Sequence, residues 1–143
     1  MARPEKVRLG DLLVQQKLIS QDQLKFALEQ QKHNGLKLGR VLVNNAFVTE
    51  ENFSETLAKQ LNIPYINLKD YPINLELVRL LPESQARRFG AIVLEERDGV
   101  LLVGMADPTD FSASDVIALI VKRSVAVAVV TEGQLLESMD HAY

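Results

Sequence analysis

Residues 8–60 hold two stretches that read as copies of one another: Arg8–Gln31, RLGDLLVQQKLISQDQLKFALEQQ, and Lys37–Gln60, KLGRVLVNNAFVTEENFSETLAKQ. Each is 24 residues long, the offset between them is 29, and the spacer is Lys32-His33-Asn34-Gly35-Leu36. Six aligned positions are identical: Leu9/Leu38, Gly10/Gly39, Leu13/Leu42, Val14/Val43, Leu28/Leu57 and Gln31/Gln60. Eleven more are close in chemistry, among them Arg8/Lys37, Ile19/Val48, Ser20/Thr49, Asp22/Glu51 and Leu24/Phe53. The alignment needs no gap, so one supersecondary unit occurs twice.

Each copy reads as two helices joined by a turn. Leu9, Leu12, Leu13 and Gln16 fall at helical spacing, and Leu24, Ala27, Leu28 and Gln31 repeat it. Ser20 with Gln23 three residues on predicts a capping box between them. In the second copy Leu38, Val41 and Leu42 form the stripe, which breaks near Ala46-Phe47-Val48. Thr49 then caps a helix carrying Phe53, Leu57 and Gln60, and Glu50 and Glu51 suit the positive end of its dipole.

Core packing accounts for the leucines of such hairpins, but the glycines need more. Gly10 and Gly39 sit in the first turn of a helix, where glycine costs about 0.5–1 kcal/mol relative to alanine. Recurrence of that cost in both copies implies a close approach to the backbone, by a ligand or by a neighbouring helix. A cation two residues earlier (Arg8, Lys37) and a glutamine seven residues after the leucine or phenylalanine (Gln31, Gln60) recur as well. Cation, glycine turn, apolar shelf and amide, present twice, suit a ligand with two like halves.

The remaining chain predicts a second kind of structure. Ile63-Pro64-Tyr65 to Tyr71-Pro72 is a proline-punctuated connector with a short extended stretch. Leu75–Phe89 reads as helical, interrupted or restarted at Pro82 and ended by Gly90. Ala91–Leu94 and Val100–Met105 flank Asp98-Gly99, a strong hairpin signal. Ser112 or Ser114 can start a helix over Asp115–Lys122, Val125–Val130 reads as a buried strand, and Thr131 with Gln134 caps a final helix. The expected fold class is α+β: an N-terminal tandem helical-hairpin repeat packed with a small C-terminal α/β subdomain. The expected divisions are residues 1–62, a connector at 63–74, and 75–143.

Composition narrows the function. There is no cysteine, and the two histidines, His33 and His141, lie far apart, so a metal site is not expected. The seven glycines form no phosphate-binding loop of the GxxxxGK[ST] kind, and no nucleophile–base order suggests catalysis. No apolar stretch approaches the roughly 18 residues that span a bilayer, and Met1–Lys6 leads into nothing like a signal peptide, so the expected compartment is the cytoplasm. The net charge is −3, yet residues 1–40 alone carry +4, with eight Lys/Arg against four acids. A basic N-terminal part of that size points to a small anionic partner and not to a nucleic-acid polymer; a solvated helix surface is the plainer alternative.

In order and spacing, Arg8-Leu9-Gly10, Leu13-Val14, Leu18-Ile19, Leu24, Leu28 and Gln31 resemble the tandem motif of the MshE N-terminal domain family, found at the front of type II secretion and type IV pilus ATPases. The family pattern is RLGxx, two aliphatics, xxG, two aliphatics, then LxxxLxxQ. Leu61-Asn62-Ile63-Pro64-Tyr65, Leu80-Leu81-Pro82 and Met105-Ala106-Asp107-Pro108 look like the rest of the same region. The resemblance implies a regulatory domain that binds one cyclic di-GMP, each motif cradling one guanine half, with no metal. Implied contacts in the first motif are Arg8, Leu9, Gly10, Leu13, Leu24, Leu28 and Gln31. Those in the second are Lys37, Leu38, Gly39, Arg40, Leu42, Phe53, Leu57 and Gln60.

Asp107 has two readings: a turn or cap before Pro108, or, as the resemblance implies, an acid reaching back to a motif arginine or a guanine edge. The pattern's second glycine is Lys17 in one copy and Ala46 in the other, and its second arginine is Lys37, which implies a weaker second half-site. The implied partners are a C-terminal ATPase domain of the same polypeptide and an inner-membrane platform protein. The competing function is a docking module for that platform, without nucleotide.

Overall fold

The structure, a computed structural model, describes residues 9–108 and 110–143, with only the backbone described at Leu9 and Phe111. The chain divides into two compact units, the first ending at Gln60 and the second running Leu61–Tyr143. The fold is α+β.

The repeat builds the first unit as two helical hairpins. The first copy gives α1 (Leu9–Gln15) and α2 (Gln21–Asn34); the second gives α3 (Leu38–Asn44) and α4 (Glu50–Leu61). The capping box forms as the sequence predicts: the Gln23 N–H donates to Ser20 Oγ at 3.1 Å, and the Ser20 N–H donates to Gln23 Oε1 at 2.9 Å. At the second hairpin the Asn52 N–H donates to Thr49 Oγ1 at 3.1 Å. Leu13, Ile19, Leu24, Ala27, Val41, Leu42 and Val48 close over one another as the core, so both copies contribute to a single apolar interior.

Both hairpins turn by the same device. After α1 the chain passes through Lys17 in the left-handed region (φ 61°). The Lys17 N–H donates to the Val14 carbonyl at 2.9 Å, and the Leu18 N–H to the Leu13 carbonyl at 3.0 Å. After α3 the left-handed residue is Ala46 (φ 59°). Its N–H donates to the Val43 carbonyl at 3.0 Å, and the Phe47 N–H to the Leu42 carbonyl at 2.9 Å. This double bond pattern is the Schellman motif, which satisfies the last free carbonyls of a helix and normally favours glycine.

The second unit is a small sheet overlaid with helices. Its elements are α5 (Leu75–Val78), α6 (Glu83–Phe89), β1 (Ala91–Arg97), β2 (Val100–Met105), α7 (Phe111–Val121), β3 (Ser124–Val129) and α8 (Glu132–Ala142). The strands lie in the order β1-β2-β3, with β1 and β2 antiparallel and β2 and β3 parallel. Asp98 (φ 54°) and Gly99 (φ 80°) supply the two positive φ angles of a type I′ turn, so β1 and β2 close as the predicted hairpin. The Leu75–Phe89 stretch splits into α5 and α6, because Pro82 has no N–H to continue a helix and instead stands at the N-cap of α6. Tyr65 bridges to Val129 in the parallel sense, which gives the connector its extended stretch.

One boundary differs from expectation. The helix expected from Ser112 or Ser114 begins earlier, at Phe111, because Asp110 is its cap: that carboxylate accepts from the Ala113 N–H at 3.1 Å. Ser112 is inside the first turn, its hydroxyl donating to the same carboxylate at 2.8 Å. Ile92, Leu101, Val103 and Met105 of the sheet are fully buried against Val78, Leu81, Ala86, Ile117, Leu135 and Met139. Tyr143 fastens α5 to this core: its hydroxyl donates to the Leu81 carbonyl at 2.7 Å, with the Val78 carbonyl at 3.1 Å.

Candidate functional site

Gly10 and Gly39 occupy the same place in the two hairpins, and the structure gives the close approach a physical cause. A Cβ built on Gly10 would lie 2.5 Å from Leu24 Cδ1, and one on Gly39 would lie 2.3 Å from Phe53 Cζ. Leu24 and Phe53 are themselves repeat equivalents, 29 residues apart. Each glycine is therefore the seat of the apolar side chain that its own copy contributes from its second helix. Of the two readings left open by the sequence, close helix–helix packing accounts for the glycines. The apolar shelf lies directly on the glycine turn as a result.

The other motif residues separate by depth. Leu13 and Leu42 are wholly buried and form the floor of the hairpins, with no surface for a ligand in this arrangement. Leu24 and Leu57 are also buried, whereas Leu28, the equivalent of Leu57, is 42% exposed. Phe53, Leu38, Gln31 and Gln60 are half-buried, and Lys37 at the N-cap of α3 is exposed. Arg8 lies outside the described residues, and so does the Leu9 side chain. Asp107 belongs to the second unit, half-buried between β2 and α7, where its backbone carbonyl accepts from the Asp110 N–H at 3.4 Å.

Three features escaped the sequence reading. Phe26, off the helical stripe and 46% exposed, packs edge-on against Phe47 with ring centroids 5.8 Å apart, so an aromatic pair ties the first copy to the second. Arg40, next to Gly39, is ion-paired with Glu50 across the N-terminal turns of α3 and α4 (Nη2 to Oε2 3.8 Å). The left-handed turns at Lys17 and Ala46 are the third. Their signal was present in the family pattern, whose second glycine falls at those two positions.

Among the described residues no group of three or more His, Asp or Glu could hold a metal ion, and no helix is long and apolar enough to cross a membrane. An open cavity of about 480 Å³ lies in the second unit between Leu68–Ile73 and α8, lined by Lys69, Tyr71, Gln134, Glu137, Ser138 and His141 among others. None of its lining residues belongs to either motif.

Residues 61–143, which coincide with the second unit, match the MshEN domain. The chain belongs to the MshEN domain family. It is 32% identical over 136 residues, 95% of its length, to the type IV pilus assembly ATPase PilB of Myxococcus xanthus (strain DK1622), of which it spans 24%. A solved structure of MshE with cdg superposes with a TM-score of 0.84 at 35% identity, covering 96% of this chain and 99% of that one. The N-terminal domain of XpsE shares the fold, with a TM-score of 0.80 at 21% identity, covering 100% of this chain and 99% of that one. The MshEN fold thus extends over both units, including the tandem hairpins that precede residue 61.

Proposed function

We propose that this MshEN domain is a cyclic di-GMP receptor that regulates an ATPase of a type IV pilus or type II secretion system, each 24-residue motif holding one half of the ligand. The observation that carries the reading is the recurrence, offset by 29 residues, of features that packing of the hairpins does not require: a cation at Arg8 and Lys37 and a glutamine at Gln31 and Gln60. A protein surface has no need of that twofold pattern, whereas a cyclic dinucleotide presents two purines and two phosphodiesters. The MshE neighbour solved with cdg, read here as cyclic di-GMP, supports the ligand class.

In this reading the contacts come from exposed and half-buried motif residues, together with Arg8 and Leu9, whose side chains lie outside those described. Arg8 would stack its guanidinium plane on a base and pair with a phosphate. Lys37 would supply a point charge to the other half, and Leu9, Leu28, Leu38 and Phe53 the apolar platforms. Gln31 and Gln60 would offer amide donors and acceptors. Leu13 and Leu42 act beneath, by holding each hairpin in shape. The ATPase motor would lie in the parent polypeptide, and ligand would favour one arrangement of the domain that the motor senses.

Calorimetry with cyclic di-GMP beside GTP and ATP tests the reading. The expected result is one cyclic di-GMP per chain and no heat from the mononucleotides. Arg8→Ala should weaken binding more than Lys37→Ala, because only arginine offers stacking and bidentate geometry. Equal losses would overturn that asymmetry.

A further inference from the structure

The second unit leaves one sheet edge bare beside one exposed helix face. Val130 donates its N–H to the Met105 carbonyl of β2 at 3.1 Å, whereas Val129, one residue earlier, turns its backbone the other way. Its N–H donates to the Pro64 carbonyl at 2.8 Å, and its carbonyl accepts from the Ile66 N–H at 2.9 Å. Hydrogen-bonding direction alternates along a strand, so Val125 and Val127 point their N–H and C=O groups to that same outer edge. Among the described residues nothing bonds them there. Natural sheets guard such edges with charges, proline or a bulge. β1 has a register shift between Val93 and Glu95 and ends in Glu95-Glu96-Arg97, but β3 runs Ser124-Val125-Ala126-Val127-Ala128-Val129 without any of these. α7 packs along β3, while α5, α6 and α8 pack along β1. On α7 and its C-cap the exposed residues Ser112, Asp115, Val116, Leu119 and Lys122 fall on one helical stripe, and Leu119 is 77% exposed.

We propose that this face is where a second copy of the chain docks, the β3 strands of the two copies pairing antiparallel about a twofold axis at Ala126. In that register Val125 exchanges both backbone bonds with Val127 of the second copy, and Val127 with its Val125, so all the free groups are used. The ladder ends there, since β3 begins at Ser124 and Pro64 and Ile66 hold the edge at Val129. Ala126 faces its own copy across the axis, and its small, exposed side chain admits that approach. The charges select a second copy as the occupant. Asp115 and Lys122 are exposed, two turns apart and so too distant to pair with each other, and neither has an ion-pair partner among the described residues. Two α7 helices related by a twofold near Leu119 set Asp115 of each beside Lys122 of the other, with Val116 and Leu119 between them. α7 runs back along β3, as the crossover of a parallel pair must, so one axis serves strand and helix. A face with an acid at one end and a base at the other is complementary to itself, which is what a twofold contact requires.

Sedimentation equilibrium of the full chain from micromolar to millimolar, without nucleotide, tests this. So small an interface predicts a weak, concentration-dependent equilibrium between monomer and dimer. Leu119→Glu, which sets like charges in the apolar contact, and Ala126→Lys, which sets two lysines across the axis, should each weaken dimerisation at least about tenfold. Asp115→Lys and Lys122→Glu should each weaken it about two- to fivefold, and the double variant should restore the original association. Hydrogen exchange at the Val125 and Val127 amides should slow as the dimer fills. All four substituted positions are exposed, and circular dichroism checks that each variant keeps its fold. A monomer at every concentration would overturn the proposal. So would a dimer indifferent to both Leu119→Glu and Ala126→Lys, since it associates through another surface. Association that leaves the Val125 and Val127 amides exchanging freely would overturn the strand pairing.

Discussion

The two copies of the repeat share their backbone devices and most of their residue chemistry, and differ at a few charged and exposed positions. Gly10 receives Leu24 as Gly39 receives Phe53, and the hairpins turn through Lys17 and Ala46 with the same pair of hydrogen bonds. Against that sameness, Leu28 is 42% exposed while Leu57 is buried, and Asp11 stands where the other copy has Arg40. Packing dictates the shared features, because a hairpin this short closes only if a side chain can sit on its glycine and the chain can turn left-handed. Charged and exposed positions such as Asp11 and Arg40 carry no such demand and have diverged. The two hairpins are therefore congruent in backbone and unequal in chemistry at these positions.

The comparison can be broken first at its floor. Leu13→Ala and Leu42→Ala should each cost about 2–5 kcal/mol, since both side chains are fully buried and occupy equivalent places. Urea unfolding should give similar losses; a difference of more than about half that range would mean the hairpins are not equivalent supports. Gly39→Ala should cost about 1–3 kcal/mol through the clash with the Phe53 ring. Gly10→Ala should cost less, because Leu24 can change rotamer where a ring cannot, and the reverse order would refute the packing account of the glycines.

Smaller effects sharpen the contrast. Lys17→Gly and Ala46→Gly should each stabilise by up to about 1 kcal/mol, as a left-handed residue is relieved of its Cβ. A loss of stability in either would show that side-chain contacts at the turn outweigh the backbone strain. Leu28→Ala should change stability by about half a kcal/mol or less, as suits an exposed residue, yet lower affinity for cyclic di-GMP. Leu57→Ala should do the opposite in proportion, destabilising strongly. An exposed Leu28 that proves indifferent to ligand would remove it from the half-site.

Much of this was legible in the sequence because repetition doubles every signal. The stripe of Leu9, Leu12 and Leu13 is weak alone, but its return at Leu38, Val41 and Leu42 places both short helices. Ser20 with Gln23, Asp98-Gly99 and Thr131 with Gln134 announced their caps and turn, since those residue types act through local hydrogen bonds. The start of α7 was missed because Asp110 competes with Ser112 for the cap, and two polar residues two apart do not reveal which one bonds the backbone. The seat of each glycine was not legible either. Spacing within a helix says nothing about which side chain of another helix descends on it, and that contact decides between packing and ligand at Gly10 and Gly39. The Arg40–Glu50 pair joins two helices across a turn, and so falls outside the local patterns that announce a cap or a helical stripe.

The central claim is that two congruent half-sites hold one cyclic dinucleotide, and titration calorimetry of the chain with cyclic di-GMP tests it most directly. The account predicts saturable heat with one ligand per chain, and none with GTP or ATP at the same concentrations. No heat with cyclic di-GMP at tens of micromolar protein, or a stoichiometry of two independent ligands per chain, would contradict it.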